Sequence, residues 1–99
     1  MKIIKDLKDF QEITKKIRAN NKKIGFIPTM GSIHEGHLSL IKESTKQGCY
    51  SIASIYVNPT QFNDSKDFLE YPKNINKDIE VLNKSKCNLL FLPSNNDIY

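Results

Sequence analysis

The chain has 99 residues, 38% of them hydrophobic and 26% charged, with a net charge of +4. That length suits one small domain with a modest core. No apolar run approaches the roughly 18 residues needed to cross a bilayer, and Met1 to Phe10 has no apolar signal core, so a membrane protein and a secretory leader are set aside and the cytoplasm is expected. Leu7, Phe10, Ile13 and Ile17 recur at helical spacing and predict an amphipathic helix from about Asp6 to Asn20 or Asn21. Ile24 to Pro28 reads as a buried strand and Thr29 to Ile33 as a glycine-containing turn. A second helix is expected over Glu35 to Gln47, with Gly48 as its stop. Ser51 to Val57 is rich in β-branched and aromatic residues and reads as a second strand, closed by Asn58-Pro59. Thr60 to Pro72 reads as a partly ordered loop. Ile75, Ile79 and Leu82 mark a third helix, and Asn88 to Leu92 a third strand stopped by Pro93.

Helices alternating with strands at this spacing imply βαβ units and a parallel sheet, hence an α/β, Rossmann-like three-layer fold. Ligands of such sheets bind at the carboxyl ends of the strands. The two turns after the first two predicted strands are therefore where chemistry is expected.

The excess positive charge carries little functional information. It is almost all lysine, scattered among Asp and Glu, and Arg18 is the sole arginine. Arginine is the usual donor for bidentate base readout, so a nucleic-acid partner is not expected. Cys49 and Cys87 have no CxxC or ligand spacing and read as reduced, half-buried thiols.

The first turn, Met30-Gly31-Ser32-Ile33-His34-Glu35-Gly36-His37, holds both histidines of the chain. Gly31 permits a bend closed to bulkier residues. The start of a helix leaves free N–H groups and a positive dipole end, which suits phosphate. His34 and His37, three apart, are expected about 60° from each other on one helical face. Two imidazoles there can donate to a phosphate and stabilise a pentacoordinate transition state. Gly36 between them would let a flat purine pack on the helix backbone. The competing readings are two ordinary surface histidines, or a zinc site; the zincin spacing is i, i+4 with Glu between, and no third ligand is evident. There is neither a GxxxxGK[ST] P-loop nor a GxGxxG fingerprint. At the second turn, Asn58 and Gln61 offer neutral amides that can both donate and accept, or they belong to a plain strand-ending Asn-Pro turn.

Together these segments resemble the pantothenate synthetase (pantoate–β-alanine ligase) family. The strings that carry the resemblance are IPTMGSIHEGHLSLI (Ile27 to Ile41), SIYVNPTQF (Ser54 to Phe62), Tyr71-Pro72, Asp78 and FLPS (Phe91 to Ser94). The HxGH box alone is shared with a wide nucleotidyltransferase superfamily; PTMGxxHxGH followed by VNPxQF is far more specific. The resemblance implies an ATP-dependent ligase that passes through a pantoyl adenylate, with ATP, pantoate and β-alanine as small-molecule substrates. It implies that Met30, Gly31, Ser32, Ile33, His34, Glu35, Gly36 and His37 contact ATP, with His34 and His37 catalytic and His37 the proton donor. Gln61 would hold pantoate, with Asn58, Tyr71 and Asp78 as weaker candidates. Mg²⁺ would travel on the ATP phosphates, with no protein metal site. Family members are commonly homodimers. They are also longer, with a GxKDxQQ-like segment, a Ser/Arg-rich loop and a C-terminal domain, none of which appears before Tyr99. The expectation is that residues 1–99 are the N-terminal part of the nucleotide-binding domain, with the C-terminal domain absent and little activity alone. Another HxGH enzyme, such as a cytidylyltransferase, and a non-catalytic ATP-binding remnant are the alternatives.

Overall fold

A computed structural model describes residues 1–56 and 75–93. The first helix, α1 (Leu7–Ala19), opens where the Asp6 carboxylate accepts the N–H of Asp9 at 3.3 Å and satisfies a donor that has no partner inside the helix. Strand β2 (Ile24–Thr29) follows, then α2 (Glu35–Lys46) and β3 (Tyr50–Ile55). Gly48 takes φ +78° just past α2, as a left-handed C-terminal stop requires. Residues 75–83 form a third helix, α3, which leads into β4 (Leu89–Phe91).

Strand boundaries differ from the sequence reading by a residue or two, and β4 is one residue shorter at each end. Thr29 belongs to β2, because its register with Ile55 extends the ladder past Pro28. Strand β3 starts one residue earlier, at Tyr50, and stops at Ile55; Val57 and the loop over 60–72 lie outside the described residues. A further strand, β1 (Lys2–Ile4), was not expected. It is three residues long and only Ile4 is buried, so no period could announce it.

The sheet is wholly parallel, in the order β1-β4-β3-β2. Alternation along β3 and β4 sends side chains to two separate cores. Ile52, Leu89 and Phe91 join Ile4 and the apolar stripe of α1, where the rings of Phe10 and Phe91 stack at 4.0 Å. Ala53, Ile55 and Leu90 join Ile27, Ile41, Ile75 and Leu82 under α2 and α3. The result is an α/β/α sandwich, the three-layer architecture expected. Its central strands are buried on both faces, as parallel strands are.

Both cysteines are free, but Cys87 is more than half-buried. At 6% exposure it belongs to the core, and its Sγ donates to Leu89 O at 3.2 Å. Burial pushes its thiol above the ordinary range, since a thiolate there would lack solvation; hydrogen bonds to the backbone of Ala53 and Leu89 act in the opposite sense. Among the described residues, no helix is long and apolar enough to cross a membrane.

Candidate active site at the carboxyl end of the sheet

The site begins where β2 stops. Thr29 is buried, and its hydroxyl does two things at once: it donates to Ser54 O at 2.9 Å and accepts the N–H of Gly31 at 3.1 Å. The end of β2 is thereby tied to β3 and to the turn that follows. Gly31 then takes φ +97° and Ser32 φ +55°, two successive left-handed residues that reverse the chain towards α2. Glycine adopts that region freely; serine does so at a cost. The next two N–H groups are held by one carboxylate. Ser32 N–H donates to Asp78 Oδ2 and Ile33 N–H to Asp78 Oδ1, each at 2.9 Å.

His34 and His37 are brought together, but not as two positions on one helical face. His34 is the N-cap of α2, with extended backbone (φ −136°, ψ −175°), and only His37 lies within the helix. The two rings make a reciprocal capping arrangement. His34 Nδ1 accepts the N–H of Gly36 at 3.0 Å, and His37 Nδ1 accepts the N–H of His34 at 3.1 Å. The ring centroids stand 4.1 Å apart. With Nδ1 accepting in both, each neutral imidazole carries its proton on Nε2, which leaves that atom as its donor. Desolvation first, then the neighbouring His34, holds His37 below the ordinary histidine value, while the charge of Asp78 acts in the opposite direction.

In the turn the N–H groups of Gly31, Ser32, Ile33 and His34 have partners within the protein, as does that of Gly36 in the first turn of α2. The space beside Gly36 belongs first to His34: a Cβ on Gly36 would fall 2.9 Å from the His34 ring at Cε1.

A cavity of about 500 Å³ opens at this point, lined by Pro28, Thr29, Met30, Gly31, His37, Ser54 and Tyr56. Met30 is 64% exposed at its rim. A larger cavity of about 710 Å³ lies between α2 and α3, away from the histidines, with Leu38, Ile41 and Val81 on its wall and Lys42, Lys46, Lys84 and Lys86 around it. Glu35 is exposed on the first turn of α2. Asn58, Gln61 and Tyr71 lie outside the described residues. Among the described residues no group of three or more His, Cys, Asp or Glu is placed to hold a metal. Sequence reasoning missed the anchoring parts of Thr29 and Asp78. A threonine at a strand end has no distinctive pattern, and Asp78 is remote in sequence from the turn it grips.

The model of the pantoate-beta-alanine ligase family matches residues 2–99. The pantothenate synthetase of Azobacteroides pseudotrichonymphae genomovar. CFP2 is 48% identical over 100 residues, covering all of this chain and 36% of that protein. That of Endomicrobium trichonymphae is 44% identical, with 35% of its length covered. Among solved structures, the pantoate-beta-alanine ligase of Francisella tularensis, complexed with beta-gamma ATP and beta-alanine, superposes with a TM-score of 0.82 at 43% identity. All of this chain is covered, with 38% of that one. The pantothenate synthetase of Thermus thermophilus gives 0.69 at 31% identity, with 34% of that chain covered. The chain thus spans about a third of the length of the relatives it matches. A strand-end threonine, a left-handed glycine turn and an HxGH pair at the tips of a parallel sheet all lie within that matched stretch, and the chain belongs to the pantoate–β-alanine ligase family.

Proposed function

We propose that this chain forms the ATP-gripping part of an AMP-forming ligase that condenses pantoate with β-alanine. In the first step a pantoate carboxylate oxygen attacks the α-phosphorus of ATP. The bond to the β-phosphate oxygen breaks, giving pantoyl adenylate and pyrophosphate. In the second step the free-base amine of β-alanine attacks the acyl carbon, its nitrogen gives up a proton to solvent as the amide bond forms, and AMP leaves with the electron pair of the acyl–oxygen bond. A carboxylate is a poor acyl donor, and adenylation supplies the leaving group it lacks.

The observation that carries this reading is the reciprocal His34–His37 pair beside the cavity at the carboxyl end of the sheet. Each neutral ring keeps Nε2–H as its donor, suited to the negative charge that grows on phosphoryl oxygens during the first step. His37 lines the cavity and is the residue we assign as proton donor. The segment Met30 to His37 forms the nucleotide contact, and Gln61 and Asn58 the pantoate contact. The relative from Francisella tularensis, whose structure is complexed with beta-gamma ATP and beta-alanine, supports the choice of substrates. Mg²⁺ fits as a passenger on the phosphates: among the described residues the buried carboxylate beside the turn is that of Asp78 on α3, and both its oxygens are engaged by N–H groups. When bound there the ion neutralises phosphate charge. The 99-residue polypeptide by itself is expected to bind ATP and to turn over little, because positioning supplies much of catalysis and about a third of its relatives' length is present.

Titration of the isotope-labelled chain with ATP tests the assignment. The resonances of Gly31, His34 and His37 should move first and most. Shifts confined to the α2–α3 cavity, or none at millimolar ATP, would overturn it. Pantoate-dependent ATP–pyrophosphate exchange by the polypeptide alone reads the turnover expectation separately.

A further inference from the structure

We propose that Asp78 is a positioning residue for the nucleotide site: from α3 it clamps the turn between β2 and α2 and so fixes where the two imidazoles stand. Three observations converge on this. Asp78 is only 4% exposed, and a buried carboxylate needs compensation. Among the described residues the compensation comes from the turn, one N–H to each oxygen, Ser32 to Oδ2 and Ile33 to Oδ1 at 2.9 Å. Such charge-assisted bonds are short and strong.

The residues on either side fit the same role. Ser32, a non-glycine at φ +55°, sits where the backbone needs outside support, and its own N–H is one of the two that Asp78 takes. A Cβ on Gly31 would stand 3.3 Å from Asp78 Oδ2, so glycine is what lets the carboxylate come this close. On the opposite side Thr29 takes the N–H of Gly31. The turn is thus held by β2 and by α3 at once, and His34 follows it directly.

The clamp has a chemical consequence. Asp78 removes two N–H groups from the set a phosphate could use, and it spends its charge on them. Anion recognition is left to the imidazoles and the end of the helix, whose placement is set by a carboxylate that does not itself touch the nucleotide.

This inference rests on the nucleotide reading only in its last step, and the test separates the two. In the unliganded parent chain, through-hydrogen-bond couplings from the Ser32 and Ile33 amides to the Asp78 carboxyl carbon should be present; their absence overturns the clamp. Asp78→Asn can accept one of the two N–H groups but turns an NH₂ towards the other. It should shift both amide resonances upfield, lower the titration midpoint of His37, and weaken ATP binding about tenfold or more. Amide shifts with an unmoved His37 titration and an ATP affinity within twofold of the parent would reduce Asp78 to a structural residue and overturn the proposal. If Asp78→Asn fails to fold, Asp78→Glu keeps the charge while displacing it by one methylene. It should fold and weaken ATP binding by a comparable factor; parental affinity in that variant overturns the proposal equally. Should the parent chain bind no ATP, the nucleotide reading fails, while the couplings and the ring titration still decide whether Asp78 places the histidines.

Discussion

The backbone N–H of His34 donates to Nδ1 of His37 at 3.1 Å, so the ring assigned as proton donor is also the group that closes the start of α2. Protonating His37 on Nδ1 would turn that acceptor into a donor facing a donor. Local structure and protonation state are therefore linked at this one atom.

A pH dependence follows. His37 titrates below its ordinary value of 6.5, chiefly through desolvation and then through His34. A histidine whose folded value is depressed contributes stability that is present above the unfolded value and is lost as pH falls through the folded one. Thermal melting should therefore be flat above about pH 6.5 on this account and decline on acidification, and a His37→Gln variant should lack that component. Carbon-detected titration of the ring should give a midpoint below 6.5 and Nε2–H as the neutral tautomer. A midpoint above that value would contradict the geometry.

Replacing His34 by asparagine separates capping from ligand chemistry. Asparagine is a good N-cap, so the melting free energy should change by less than about 1 kcal/mol. The ring is lost, however, together with its effect on His37, whose midpoint should rise. ATP binding should fall about tenfold or more, read by calorimetry.

Gly36→Ala makes the complementary case. Alanine is favoured over glycine in a helix by about 1 kcal/mol, so propensity alone predicts a more stable chain. The new methyl would lie 2.9 Å from His34 Cε1 and 3.2 Å from its Nδ1. The exposed ring can swing away, at the expense of the Gly36 N–H bond. Stability should be nearly unchanged while ATP affinity drops severalfold. Parental affinity would show that the placement of the His34 ring is immaterial.

The two thiols should differ in reactivity. Cys49 is partly exposed, whereas Cys87 is buried, hydrogen-bonded and raised in pKa. Iodoacetamide under native conditions at mildly alkaline pH should label Cys49 first, with Cys87 modified at the rate of unfolding. Mass spectrometry of the digested protein distinguishes the two. Equal labelling would place Cys87 outside the core.

Much of this architecture is legible in the order of residues, and the exceptions have physical causes. The stripe Leu7, Phe10, Ile13 and Ile17 packs against one face of the sheet as its spacing implies, and Gly48 ends α2 where a left-handed residue is needed. Strand β1 is invisible because it has one buried side chain, and its pairing partner is supplied by Leu89–Phe91 near the other end of the described chain. At the site, the motif located the turn and both histidines. It could not show that His34 caps the helix instead of riding on it, because that depends on the extended backbone at one residue. Nor could it show that the N–H groups of the turn were already taken: the acceptor for two of them, Asp78, comes from a different βα unit, and only tertiary folding brings it there.

The edge position of Lys2–Ile4 beside Leu89–Phe91 has a consequence for how the molecule is made. Among the described strands, β1 is the first in the sequence, yet it can pair only after β4 has been synthesised and laid against β3. Until then Ile4 and the apolar side of α1 lack Leu89 and Phe91 as packing partners. Non-local pairing of this kind slows folding. Over that interval the nascent chain carries an open hydrophobic face, and a holding chaperone would then have its greatest effect on yield.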